Sequence, residues 1–186
     1  MHTALLIALA VVVVLLVWFV LTFNRLVRLR NECAQGFSGI DVQLKRRADL
    51  IPNLVESVKA YATHERETFE RLAEARARSI AAVTVGQAAA AAVLMQSALG
   101  GLFGIAEAYP ELRASENFQR LQTELSETED RIAAARRYYN TTVRRYNTMI
   151  QSVPSNFVAS IGHHEPREFF EIEDAGDRAV PSASIT

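Results

Sequence analysis

Few residues of this chain have types and spacings that could do chemistry: four histidines, one cysteine, and a stretch of paired arginines and tyrosines. His64 stands directly before Glu65, which is how a zinc-protease helix begins. Such a helix needs a second histidine four residues after the first, and position 68 is Thr. His163 and His164 are adjacent and followed by Glu165, an arrangement that binds metal weakly and unselectively on a flexible segment. The single cysteine, Cys33, excludes an internal disulfide and reads as a small apolar seam residue. No G-x-S-x-G, P-loop, G-x-G-x-x-G or C-x-x-C sequence occurs. The expectation is a protein that is not an enzyme, with no catalytic residue, no metal and no cofactor.

The stretch RRYYNTTVRRYN (residues 136–147) interleaves cations with aromatic rings, as a single-strand nucleic-acid binder does. Lys45-Arg46-Arg47 adds a second basic run. Against both stands the balance of 20 Lys and Arg with 21 Asp and Glu, a net charge of −1 and a pI near 6.4. A dedicated nucleic-acid domain is strongly basic. Tyr139 and Tyr146 also fall on an apolar seam, so their rings are expected inside, with the arginines outside and paired to Glu65, Glu67, Glu70 and Glu74. No nucleic-acid partner is expected.

The elements that must position these residues begin with an anchor. Thr3–Phe23 is an uncharged run of 21 residues, which as a helix covers about 31 Å, the hydrocarbon thickness of a bilayer. No Lys or Arg precedes it and no small-residue cleavage site follows, so it reads as an uncleaved membrane span, not a signal peptide. Arg25, Arg28 and Arg30 follow within two turns. The positive-inside rule then puts the N-terminus outside and the rest of the chain in the cytoplasm.

Beyond the anchor, Leu26, Leu29, Cys33, Phe37, Ile40, Leu44, Ala48 and Ile51 recur at gaps of three and four, one stripe of a helix leaving the membrane as a stalk. Gly36 and Gly39 are its weak points. Asp49 as N-cap and Pro52 in a first turn predict a tight corner at residues 48–52. A second helix follows to about Ile80, with Ile51, Val55, Val58, Ala62, Phe69 and Leu72 on its seam and Glu65 interrupting it. Ser79–Ala106 carries no charge; its alanine-dominated composition and its Thr and Gln residues predict a helix packed in a bundle in preference to a second span. Its tip, GGLFGI, is expected to form a glycine loop exposing Leu102, Phe103 and Ile105 to a partner or membrane unless the core covers them. A fourth helix, capped by Ser115, has a heptad seam running through Phe118, Leu121, Leu125, Thr128, Ile132, Ala135, Tyr139, Thr142, Tyr146, Met149 and Val153 and stops at Pro154. The expected fold is therefore all-α: a single N-terminal transmembrane helix (residues 1–23) continuing into an antiparallel, up-down bundle of about four helices (24–153). Residues 154–186 read as a partly disordered surface tail.

Several blocks of this sequence, taken in order, resemble the LemA family. They include Ile40-Asp41-Val42-Gln43-Leu44-Lys45-Arg46-Arg47 leading into Asp49-Leu50-Ile51-Pro52-Asn53-Leu54-Val55, then Tyr61-Ala62, His64-Glu65 and Ala75-Arg76. Further on come Glu107-Ala108-Tyr109-Pro110-Glu111-Leu112, Glu116-Asn117-Phe118, Tyr139-Asn140, Tyr146-Asn147 and Pro154-Ser155-Asn156. Phe37 stands where the family tends to have Trp, and the histidine pair replaces an apolar turn. The resemblance implies a bacterial single-pass membrane protein with a cytoplasmic helical bundle and no established enzymatic activity. Some members take part in building magnetosome membranes and others are encoded beside membrane-stress proteases.

Asp49, Asn53, Tyr61, His64, Glu65, Tyr139, Asn140, Tyr146 and Asn147 lie on or beside the seams of the second and fourth helices. Antiparallel pairing would join them in one polar network that fixes register. The functional expectation is a scaffold that self-associates through its uncharged third segment and organises membranes or other membrane proteins. The alternative is an adaptor for a membrane protease or envelope-stress system.

Overall fold

The structure, a computed structural model, describes residues 1–171. Among these it is all-helical: α1 (His2–Lys59), α2 (Arg66–Ala81), α3 (Val85–Glu107), α4 (Pro110–Ala114), α5 (Glu116–Gln151) and α6 (Ser155–Ile161). The chain divides into two compact units. The first comprises Met1–Ser38 with Arg137–Phe169, the second Gly39–Arg136 with, of the described residues beyond, 170 and 171. The inward stripe of α1 is as the spacing predicts: Leu26, Cys33, Ile40, Leu44, Ala48 and Ile51 are all buried. In α5 the same holds from Phe118 to Tyr146 except at Ala135, which like Met149 is half-buried, and Val153, expected on that seam, is exposed because α5 has ended at Gln151.

The predicted corner at residues 48–52 does not exist. Pro52 lies inside α1, which runs on to Lys59. A proline within a helix strands the carbonyl four residues earlier, here that of Ala48, by removing the N–H that would bond it. Arg76 of α2 supplies the missing donor: its Nε donates to the Ala48 oxygen at 2.9 Å. Once that carbonyl is satisfied from outside, the apolar stripe Ile51, Leu54 and Val58 carries the helix onward through its packing. The chain turns instead at residues 60–65, and the Glu65 that interrupts the seam is the N-cap residue of α2.

The core of the second unit gathers Ile51, Leu54, Val58, Leu72, Met95, Leu102, Leu112 and Phe118, each almost fully buried. α3 starts with a reciprocal capping box: Thr84 accepts from the Gln87 N–H, and the Gln87 side chain accepts from the Thr84 N–H. Its alanines 88, 89, 91 and 92 let it sit close against its neighbours. The expected glycine loop at 100–105 is helical and belongs to α3. Leu102 is completely buried, and the Phe103 ring meets Phe118 edge-on at 6.4 Å. The GGLFGI tip is thus covered by the protein's own core. The acids expected to pair with the arginines of α5 pair within α2 instead, Glu67 with Arg71, Glu70 with Arg66 and Glu74 with Arg78, because four-residue spacing already places each pair on one helix face.

Candidate interaction site

In the first unit, Tyr139 and Tyr146 are seven residues apart on the inward stripe of α5, so both hydroxyls are carried into the interior and need partners there. Tyr139 donates to the Glu168 carbonyl at 2.7 Å. Tyr146 Oη lies 3.1 Å from His164 Nδ1, with donor and acceptor set by the imidazole tautomer. Asn147 clasps a backbone unit from both sides: its Nδ2 donates to the Arg167 carbonyl, and the Arg167 N–H donates to its Oδ1, each at 2.9 Å. Three side chains of α5 therefore hold the chain at residues 164–168. The buried threonines beside them need no such partner, since Thr142 donates to the Tyr138 carbonyl one turn earlier.

What aims the chain at this clasp is the end of α6. His163 has a φ of 50°, its N–H donates to the Ser160 carbonyl, and the His164 N–H donates to the Ala159 carbonyl. This is a Schellman ending, with histidine in the left-handed position where glycine is usual. It closes α6 and turns the His164 ring edge-on to both Phe23 and Tyr146, 6.0 Å from each centroid. A Cβ on Gly162 would stand 2.8 Å from the His164 ring and 3.0 Å from Phe23, so this packing needs glycine. Gly36 serves a second close approach, its face lying 3.3 Å from the Tyr139 backbone, whereas Gly39 faces open space. Residues 155–171, which the loss of periodicity assigns to a surface tail, include buried Val158, Ala159 and Phe170. The remainder of that tail lies outside the described residues.

Burial governs the electrostatics here. It pushes the Tyr139 hydroxyl up to about 12, with the Cys33 thiol adding to the rise, so Tyr139 remains a donor at any physiological pH. Burial raises Tyr146 as well. His164 is shifted the other way, first by burial and then by Arg30, which favours the neutral ring. The Cys33 thiol is buried and pushed up too, which makes it a poor nucleophile.

The nine residues expected to form one network separate into two groups. Tyr139, Tyr146 and Asn147 build the clasp, and Asn140 adjoins it on α5. Asp49, Asn53, Tyr61 and His64 are exposed and Glu65 is half-buried, all in the second unit. Their helix spacing is right, but α1 does not turn at 48–52, so these side chains point to the surface. The second unit has a polar pair that periodicity missed. Arg47, one of three consecutive cations, is only 2% exposed. Its Nη1 donates to Glu129 at 3.1 Å, while Nε and Nη2 have no partner among the described residues. Three residues separate Arg47 from Leu44, so the gap rule itself places Arg47 on the buried stripe. Among the described residues no three His, Cys, Asp or Glu side chains converge as a metal site would require.

The fold and the clasp define an all-helical protein with an N-terminal apolar helix segment of membrane-crossing length, whose polar side chains hold backbone in place. A model of the LemA family matches residues 36–184, and the chain belongs to that family. It is 27% identical to Magnetosome protein MamQ of Magnetospirillum gryphiswaldense, over 95% of this chain and 76% of that one. It is 25% identical to Magnetosome protein MamQ 2 of Paramagnetospirillum magneticum, over 96% and 75%. Protein LemA of Metamycoplasma hominis is 30% identical over 73% of this chain and 63% of its own.

Proposed function

We propose that this protein is a membrane-anchored, non-enzymatic helical scaffold that self-associates and organises membrane assemblies. The observation that carries the reading is the N-terminal part of α1: its apolar window is wholly exposed, yet the same helix continues without a break into packed structure. An exposed apolar run of this length needs lipid around it. The cations Arg25, Arg28 and Arg30 at its end favour an inner-membrane protein with the N-terminus outside. α3 also has the length and composition of a span, but its buried face in the second unit's core favours a soluble bundle helix.

Arg47 pairs with Glu129 while Ser57 accepts from Asn117, so rising numbers on α1 meet falling numbers on α5. That register supports an up-down bundle built from α1, α2, α3 and α5. With Leu102, Phe103 and Ile105 packed inward, the GGLFGI tip is not the contact between copies. Ala4 and Ala8, one turn apart within the span, have the small-residue spacing that lets two membrane helices approach closely. The similarity to magnetosome proteins supports a part in assembly.

The test is reconstitution of the full chain into vesicles at low copy number. Resistance to alkaline extraction together with multi-step photobleaching is expected, and Ala4→Leu with Ala8→Leu should shift the count toward one. Single steps at every density would sink self-association, and release at alkaline pH would sink the anchor. In-cell crosslinks only to a foreign protein would favour the adaptor reading instead.

A further inference from the structure

The first unit contains a groove of about 850 Å³ between the membrane end of α1 and the last turns of α5. Arg25, Arg28, Arg144 and Arg145 line it, with Glu32 the single acid and Trp18 at one end. All four arginines are exposed, and among the described residues none is in an ion pair. Four guanidinium groups lining one space make it attractive to an anion, which all four would favour at once. Their position along α1 says which anion. From Phe23, the last residue of the apolar run, to Arg28 the helix rises about 7.5 Å, which takes it from the edge of the hydrocarbon into the headgroup layer.

The same groove is bordered by Pro154 and Ser155, at the start of α6. Phe157 and Ile161 lie one turn apart on α6 and are 65% and 66% exposed, and Val153, in the turn before α6, is 76% exposed. The end of this stripe is held at the level of Phe23, the last residue of the apolar run, because Gly162 packs against that ring. An apolar stripe beside a cationic groove, both at the rim of a membrane span, matches the two halves of a lipid.

We propose that this groove binds the phosphate headgroup of an anionic phospholipid, with Val153, Phe157 and Ile161 resting in the acyl boundary beside it. The inference rests on the reading of residues 3–23 as lipid-embedded. Guanidinium forks grip phosphate oxygens in pairs, so Arg144 and Arg145 on α5 and Arg25 and Arg28 on α1 close on the headgroup from two sides. The groove joins the two helices through the lipid and makes the seating of α6 depend on membrane composition.

The experiment places the full chain in nanodiscs of phosphatidylcholine alone or mixed with phosphatidylglycerol, and counts the lipids retained on detergent release by native mass spectrometry. Phosphatidylglycerol should be retained in preference, and Arg144→Gln with Arg145→Gln should weaken retention by about fivefold per arginine removed. Arg46→Gln, on the exposed face of the second unit, should change nothing. Unaltered helicity of the double variant keeps a loss of lipid attributable to the groove. Equal retention of both lipids, or full displacement of phosphatidylglycerol by inorganic phosphate, overturns the site. Failure of the protein to enter nanodiscs at all would instead overturn the anchor.

Discussion

The two units hold themselves together by different physics. The second is built on area: leucines, alanines, one methionine and two phenylalanines fill a core in which shape complementarity decides stability. The first also buries apolar side chains, Leu26, Val143 and Val158 among them, but its segment 164–168 is held by a handful of directed bonds from Tyr139, Tyr146 and Asn147. An apolar core degrades gradually as methylenes are removed. A clasp of hydrogen bonds is selective for one geometry and lets go when one atom or one proton changes. The element that can respond to its surroundings therefore lies in the first unit.

The largest effect should come from the core. Leu102→Ala should lower the unfolding free energy by about 4 kcal/mol, read as a fall in the urea midpoint, because the side chain is completely buried. A midpoint unchanged by this substitution would mean that the tip is not in the core. Next comes Arg47, the one buried charge among that unit's described residues. Glu129→Ala strands the Arg47 guanidinium and should cost about 2 kcal/mol, reduced from the full buried-pair value because Glu129 is half-exposed. Arg47→Met in the same background should recover most of the loss, since it removes the charge that lacks partners. If the double variant is no better than Glu129→Ala, the guanidinium is not the source of the cost.

The clasp should give smaller and more local losses. Tyr139→Phe removes one part-buried hydrogen bond, to the Glu168 carbonyl, a cost of about 1 kcal/mol. Hydrogen exchange should accelerate at residues 164–168 and leave the second unit unchanged; acceleration in both would mean that the two are not energetically separate. Acid should act on the same segment. His164 is shifted below its ordinary value of 6.5, so the released segment takes up a proton more readily than the docked one. Docking is then at full strength above pH 6.5 and weakens as pH falls through and below it. The raised tyrosines work in the opposite direction and weaken docking only as pH climbs from 10 toward 12. Protease sensitivity of residues 164–168 should thus be lowest between these limits, and His164→Gln should flatten the acid side.

Much of this was legible from gaps of three and four. They put Leu26, Cys33, Ile40 and Leu44 on one face of α1 and Phe118 through Tyr146 on one face of α5, and the structure buries all of them except Ala135, which is half-buried. The same gaps include Arg47, and it is buried too; only the habit of reading three adjacent cations as a solvated face hid it. The Thr84–Gln87 capping box has the T-x-x-Q spacing of a local signature that the sequence reading passed over. Other features were not. Pro52 looks like a helix start because a local reading cannot know that Arg76 will satisfy the Ala48 carbonyl. GGLFGI looks like a loop because glycines raise the cost of a helix, and only burial of Leu102 offsets it.

By itself the sequence determined which residues face inward, where the lipid-length apolar run lies, and membership of the LemA family, whose order of motifs carries it. Periodicity encodes these because the inside and outside of a helix repeat every 3.6 residues whatever packs against it. The tertiary structure alone decided where α1 ends, what covers Leu102, and which backbone atoms Tyr139, Tyr146 and Asn147 hold. Those outcomes depend on the partner that a polar atom or a buried face finds far away in the chain, and no repeat within a helix carries that information.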